Sequence, residues 1–393
     1  MNETFKKYIK GDRIIWMVIV ALALFSGLVV YSATGNLAYK HQDGNSVYYL
    51  FRHAGFLLTG LGVIVFVHNM PYKLFARFSV LLLYLSILLL LITLVTGVSL
   101  NQASRWLTVP VVGIRFQPSE LAKLALMVYI AKVLAQFQAD GESAGKGFKP
   151  IIIHVMVVCG LIFTEDFSTS ALIGGTSLVV MFIGRVPLKY IFGTILTCVL
   201  GLAMVIWLSS YVPVFHRAET WKARIENFSS DDDVVEEDKG YYSQAESSKM
   251  AIATGGFVGK GPGNSQQRYF LPHPYSDFVY AIIVEEFGVW GALVILLAYL
   301  ILLFRAGVIV RASSRTFPAL LVIGLTLMLV FQAFINMGVA VGIFPVTGQP
   351  LPLVSMGGTS ILFTCAAFGA ILSVSRHNIE EKEAALTKET AVS

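Results

Sequence analysis

The chain has 393 residues, 56% hydrophobic and only 13% charged, with a formal net charge of +5. Soluble domains carry about 25% charged residues, so a soluble globular enzyme is excluded. The same figures exclude a disordered chain, a collagen and a coiled coil.

In a bilayer every backbone amide must be satisfied within the protein, so continuous apolar runs of roughly 17–25 residues read as spanning helices. Alternating runs would read as barrel strands, and the runs here do not alternate. They predict an all-α polytopic membrane protein with ten helices near residues 14–33, 50–69, 79–98, 118–137, 150–164, 168–185, 188–211, 278–304, 315–337 and 358–376. The first run follows a lysine-bearing segment, as a secretory signal would. It is too long for a signal's apolar core and nine more runs follow, so it reads as a retained helix. Residues 1–13 and 377–393 are then short tails, the second polar and mobile, and 212–277 is the one sizeable hydrophilic loop, between the seventh and eighth helices. Its acidic run Asp231–Asp238 reads as a solvated insert, since clustered like charges repel. Cys159, Cys198 and Cys365 each lie within an apolar run and give neither a disulfide framework nor a metal-ligand spacing.

Lys and Arg concentrate on the cytoplasmic side of membrane proteins. Placing both termini inside gives 17 such residues to the inner segments and 4 to the short outer loops. The loop 212–277 is thereby extracytoplasmic, and chemistry there has no access to nucleotides.

Several residues in that framework have functional potential. Arg105, in Ala103-Ser104-Arg105-Trp106, sits on the outer side, where a guanidinium suits a phosphate, while Trp106 reads as an interfacial belt residue. Pro118 and Glu120 suit the first turn of the fourth helix, and Glu120 and Lys123, at i and i+3, share one face. Two charges inside a span read equally as an ion pair locking helices together or as the floor of a polar cavity. Asp166 lies at the outer junction of helices five and six, by default a loop carboxylate. The glycine-dense stretch Gly255–Gly263, which includes Lys260, is not a nucleotide-binding loop, because Gly261 follows the lysine.

Asp277 follows His273-Pro274-Tyr275-Ser276 at the start of the eighth helix, where Ser276 or Asp277 is expected as N-cap. Composition alone favours that role. The alternative is a base, since desolvation at a membrane boundary makes a carboxylate a better one. Glu285 and Glu286, two turns further in, require partners. The segment Phe344–Leu353 is apolar yet broken by prolines, so it must be buried in protein or line a cavity.

Taken in order, these segments resemble the SEDS family of peptidoglycan polymerases (shape, elongation, division and sporulation proteins). The resemblance rests on Ala103-Ser104-Arg105-Trp106, on Gln117-Pro118-Ser119-Glu120 with Lys123, and on Gly261-Pro262-Gly263-Asn264-Ser265 with Gln267. It continues through Ser276-Asp277-Phe278 with Glu285-Glu286-Phe287-Gly288, Asn336 with Gly338, and Pro350-Leu351-Pro352-Leu353-Val354-Ser355 followed by Gly357-Gly358-Thr359-Ser360. The glycine–asparagine–serine stretch is more similar to the division member of the family than to its elongation member. Met356 stands where the family has tyrosine, and Glu165-Asp166-Phe167-Ser168 replaces Gln-Pro-Asp-Leu-Gly while keeping its aspartate.

The resemblance implies a GT-C-like membrane fold and an inverting glycosyltransferase that polymerises lipid II into β-1,4 glycan, releasing undecaprenyl pyrophosphate. It implies Asp277 as the catalytic carboxylate, Glu120, Lys123 and Asp166 in a central cavity, and Glu285, Glu286 and Ser355 as secondary residues. The leaving pyrophosphate requires positive charge, from Arg105, Arg224 or Lys260 or from a divalent cation such as Mg²⁺ or Mn²⁺. Arg224 is favoured because the family's loop is also basic there. The implied partners are lipid II, a class B penicillin-binding protein, other division proteins and the surrounding membrane lipids, with no nucleic acid. The implied location is the division septum of a bacterial inner membrane. A non-catalytic division scaffold and a lipid II flippase are the competing functions, and neither would make glycan.

Overall fold

The computed structural model describes residues 10–41, 43–96, 98–100, 103–108, 115–139, 144–209 and 244–392. Arg224 and the acidic run lie outside the described residues, as does most of the loop that contains them. The chain runs through α1 (Arg13–Ala33), α2 (Gly35–His41), α3 (Ser46–Asn69) and α4 (Tyr72–Thr96) into three short strands, β1 (Val98–Leu100), β2 (Ala103–Thr108) and β3 (Arg115–Phe116). It continues as α5 (Pro118–Ala139), α6 (Ala144–Phe163), α7 (Phe167–Ile183), α8 (Leu188–Ser209) and α9 (Gln244–Gly255), then a 3₁₀ turn (Gln267–Tyr269). The last elements are α10 (Val279–Ala312), α11 (Thr316–Ala340) and α12 (Thr359–Val392).

Each expected apolar run coincides with a helix of at least 17 residues. Seven of these helices are long and apolar enough to cross a bilayer, and the apolar stretches of α7 and α8 are shorter. The bundle turns large apolar side chains outward, among them Leu24, Phe51, Phe66, Leu81, Trp290 and Phe304, each more than 60% exposed. In water such a surface would aggregate, but against lipid tails it is matched.

Centrally placed, α5 packs against α4, α6, α7 and α11, while α11 also packs against α7, α10 and α12. Buried charges hold the periphery to this core. Asp12 caps α1 by accepting from the amides of Ile14 and Ile15, and it also receives Nε of Arg305 on α10 at 2.9 Å.

The residues between α4 and α5 form a three-stranded antiparallel sheet with Val98 opposite Trp106 and Leu107 opposite Phe116. One expectation is corrected. The tail after residue 376 is helical through Val392 instead of mobile. Its Glu, Lys and Ala are strong helix formers, and extending an existing helix needs no new nucleus. Its first turns are also anchored, Glu380 to Lys10 at 3.2 Å and Glu381 to the Ser314 hydroxyl at 2.9 Å.

Candidate active site

At the end of the bundle where α5, α7, α10 and α12 begin, the chain between Phe344 and Gly358 runs without helix. Its prolines forbid a regular ladder, so the carbonyls must find other donors. Side chains of the surrounding helices supply them. Asn336 Nδ2 donates to the Gln349 carbonyl at 2.7 Å, Gln332 Nε2 to that of Pro350 at 2.9 Å, and the Tyr299 hydroxyl to that of Pro352 at 2.5 Å. Ser26 Oγ donates to the Val354 carbonyl at 2.7 Å, and the Leu351 carbonyl accepts from the amide of Ser355 at 2.9 Å.

Asp277 leans on this segment. The carbonyls of Tyr275, Ser276 and Asp277 accept from Met356 N (2.9 Å), Ser355 Oγ (2.6 Å) and Asn336 Nδ2 (2.8 Å) respectively. Its half-buried carboxylate accepts from Ser276 Oγ at 2.5 Å. Gly348, at φ +68°, is open on the side facing it, where a Cβ would stand 3.6 Å from Oδ2. The expected capping role is not seen, because α10 is entered through Phe278 and has no side-chain cap. Burial first, then the charge of Asp277 and the neighbouring Tyr49, push the Tyr275 phenol above its ordinary pKa.

Two other expected residues reach the same segment from below. Lys123, 1% exposed, pairs with Glu120 at 2.7 Å and donates to Gln332 Oε1 at 3.0 Å. Gln332 and Asn336 are one turn apart on α11, so one helix face links the Glu120–Lys123 pair to the backbone of Asp277. Asp166 arrives from the side: it caps α7 by accepting from Thr169 N at 3.0 Å, and Thr169 Oγ1 accepts from Gln349 Nε2 at 2.7 Å. A cleft of about 310 Å³, open solvent included, runs along Leu90, Thr93, Gln117, Ser119, Leu161 and Asp166. Glu120, Lys123, Asp166, Ser355 and Asp277 are thus gathered around residues 348–355.

The glycine-dense stretch goes elsewhere. Its backbone packs directly on α10, with the amides of Lys260 and Gly261 donating to the carbonyls of Glu285 (3.0 Å) and Glu286 (2.9 Å). A Cβ on Gly259 would stand 2.2 Å from the Glu286 carbonyl oxygen, and one on Gly288, where α10 breaks at φ 63°, 2.3 Å from that of Phe257. Lys260 Nζ lies 2.6 Å from Glu285 Oε1, whose carboxylate also takes Ser265 Oγ and the amides of Gln266 and Gln267. Glu286 is held by the Ser32 hydroxyl and the Ser265 amide. These residues form a clamp that fastens the loop to α1 and α10. Arg105 is on β2.

Known proteins are similar to this chain along nearly its whole length. A family model described as cell cycle protein, spanning FtsW, RodA and SpoVE, matches residues 12–380. The chain belongs to the FtsW/RodA/SpoVE family. A relative from Trichlorobacter lovleyi named probable peptidoglycan glycosyltransferase FtsW is 32% identical over 369 residues, covering 93% of each chain. Stage V sporulation protein E of Bacillus subtilis is 33% identical over 370 residues, covering 92% of this chain and 96% of its own. Among solved structures, a chain from a peptidoglycan synthase complex that coordinates polymerization and crosslinking superposes with a TM-score of 0.74 at 25% identity, over 94% of this chain and 98% of that one. The rod shape determining protein RodA of Thermus thermophilus shares the fold, with a TM-score of 0.68 at 24% identity over 95% and 99% of the two chains.

Ser26, His53, Gln332 and Tyr299 are parts of the site that sequence reasoning missed. His53, an imidazole inside a spanning helix, gave a signal that could have found it.

Proposed function

We propose that this protein is an inverting peptidoglycan glycosyltransferase that polymerises lipid II into β-1,4 glycan with release of undecaprenyl pyrophosphate. The family and the FtsW-named relatives support the activity. The observation that carries the site is the half-buried carboxylate of Asp277, its backbone fixed at three consecutive carbonyls.

An α-linked donor and a β-linked product require one in-line attack, hence one base. Asp277 takes the proton of the acceptor 4-hydroxyl as that oxygen attacks the donor's anomeric carbon and the pyrophosphate leaves with the bonding electrons. Three carbonyls held in place limit the drift of the carboxylate, which matters because misplacement of about 1 Å can cost on the order of 100-fold in rate. Glu120 and Lys123 hold Gln332, and through it the wall behind the base. Lys260 is committed to Glu285, which leaves Arg105 and Arg224 as the residues proposed to meet the pyrophosphate. Among the described residues no group of three or more His, Cys, Asp and Glu side chains could hold a metal ion.

The asymmetry of Lys and Arg supports termini on the cytoplasmic side and the Asp277 end outside, where a lipid-linked substrate enters from the bilayer. A class B penicillin-binding protein is the proposed partner and the division septum the proposed site of action. The test is polymerisation of purified lipid II with and without that partner. Asp277→Ala is expected to abolish glycan synthesis at normal protein levels. Full synthesis by the variant refutes the assignment of the base, and lipid II translocation without glycan identifies a flippase instead.

A further inference from the structure

Ser26 on α1 and His53 on α3 are among the most deeply buried polar residues of the bundle, 0% and 1% exposed, and the reaction described above uses neither. They touch each other, with Ser26 Oγ 2.6 Å from His53 Nε2. The Ser26 hydroxyl has one proton and spends it on the Val354 carbonyl. His53 Nε2 must therefore be the donor of their shared bond, which makes Nδ1 the bare acceptor nitrogen, and Nδ1 indeed faces no partner. The imidazole thus fixes the direction of the serine hydroxyl, leaving it a single acceptor to serve.

That acceptor is one peptide away from the site. Ser355 and Met356, the next two residues, hold the carbonyls of Ser276 and Tyr275, and the Ser276 hydroxyl reaches the Asp277 carboxylate. We propose that His53 and Ser26 are positioning residues for Asp277, acting through the backbone of Val354–Met356. The inference rests on the reading of Asp277 as the base. Polar groups placed this deep among apolar side chains carry a desolvation cost. Here they satisfy a carbonyl that the proline-broken segment leaves without a helical donor.

The test is steady-state polymerisation of lipid II by purified full-length variants with the transpeptidase partner, with rates expressed per folded molecule. Ser26→Ala is expected to lower kcat roughly tenfold with KM within about twofold, a fraction of the loss that follows a 1 Å displacement. His53→Leu should cost about threefold in kcat, because the hydroxyl survives but can swing away. His53→Gln, whose amide reaches where Nε2 was, should restore most of it. The double variant Ser26→Ala/His53→Leu should be no slower than Ser26→Ala alone, because both act through one bond.

Unchanged kcat in Ser26→Ala overturns the proposal, as does a loss confined to KM or a multiplication of the two single effects. If Ser26→Ala does not fold, equal kcat values for His53→Leu and His53→Gln overturn it. Asp277→Ala run alongside separates the two ideas. An active Asp277→Ala removes the base itself, whereas an inactive one beside a fully active Ser26→Ala removes only the positioning role.

Discussion

Replacing Lys260 by methionine separates two roles for the same ammonium. From sequence it is a candidate to neutralise the leaving pyrophosphate; in the fold it lies 2.6 Å from Glu285 Oε1. Removing one member of a fully buried pair costs about 3–5 kcal/mol, because the other charge is left uncompensated. Two features lower that figure here. The Lys260 side chain is 25% exposed, so water screens part of the attraction. The fully buried Glu285 also keeps three other donors: Ser265 Oγ at 2.5 Å and the amides of Gln266 and Gln267 at 3.1 and 3.2 Å. A loss of about 2 kcal/mol follows, near that of one hydrogen bond to a charged group.

The assay is thermal unfolding in detergent beside the initial rate of lipid II polymerisation. Lys260→Met should unfold earlier while its rate per folded molecule stays within about threefold of the parent. In a Glu285→Gln background the same change should cost about 1 kcal/mol less, the coupling expected of partners in contact. Loss of a group that stabilises transition-state charge costs about 10²–10³ in rate. A Lys260→Met protein of unaltered thermal stability whose rate falls that far refutes the structural reading.

Gly259→Ala should destabilise by about 3 kcal/mol or more. It combines the left-handed penalty of roughly 1–2 kcal/mol with a Cβ that would stand 2.2 Å from the Glu286 carbonyl oxygen. Gly263→Ala, at φ +81° with nothing within 4 Å, should show only the penalty; equal unfolding temperatures for the two would refute the contact. Lys123→Met strands Glu120 inside the bundle, so folded yield should collapse and return in Lys123→Met/Glu120→Gln, as size-exclusion profiles will show. Because burial and the nearby carboxylate raise the Tyr275 phenol, it stays protonated and neutral below pH 9, and Tyr275→Phe should keep the parent's rate–pH profile between pH 7 and 9. An alkaline fall in rate over that range that vanishes in Tyr275→Phe would refute this.

Helix positions were legible because a bilayer asks one simple thing of sequence, a long apolar run, and α1, α3 and α11 supply it with little interruption. The Glu120–Lys123 pair was legible for a related reason: i and i+3 meet on any helix, whatever surrounds it. The sheet beside α4 was missed because its strands are three, six and two residues long, too short to show alternation. The helical tail was missed because its polarity was read as mobility, whereas α12 simply continues outward. Asp277 as a cap was a local reading defeated by long-range bonds, since residues 336, 355 and 356 decide how its turn is held. Ser26 meets the site through Val354, more than 300 residues away, and no spacing rule connects the two.

The buried carboxylates of the bundle differ in what their neighbours allow them to do. Asp12, Glu120 and Glu285 are each matched to a cation, Arg305, Lys123 and Lys260, and each side chain is at most 10% exposed. Such pairs fasten helices, but their lone pairs are committed and closed to an incoming sugar. Asp277 is half-buried, and its carboxylate is bonded by a neutral hydroxyl, that of Ser276. A hydroxyl can turn its proton to another acceptor while remaining neutral. Rigidity is placed in the backbone of residues 275–277, whose three carbonyls accept from Met356, Ser355 and Asn336. Removing the cation beside Asp12, Glu120 or Glu285 should therefore damage the fold first.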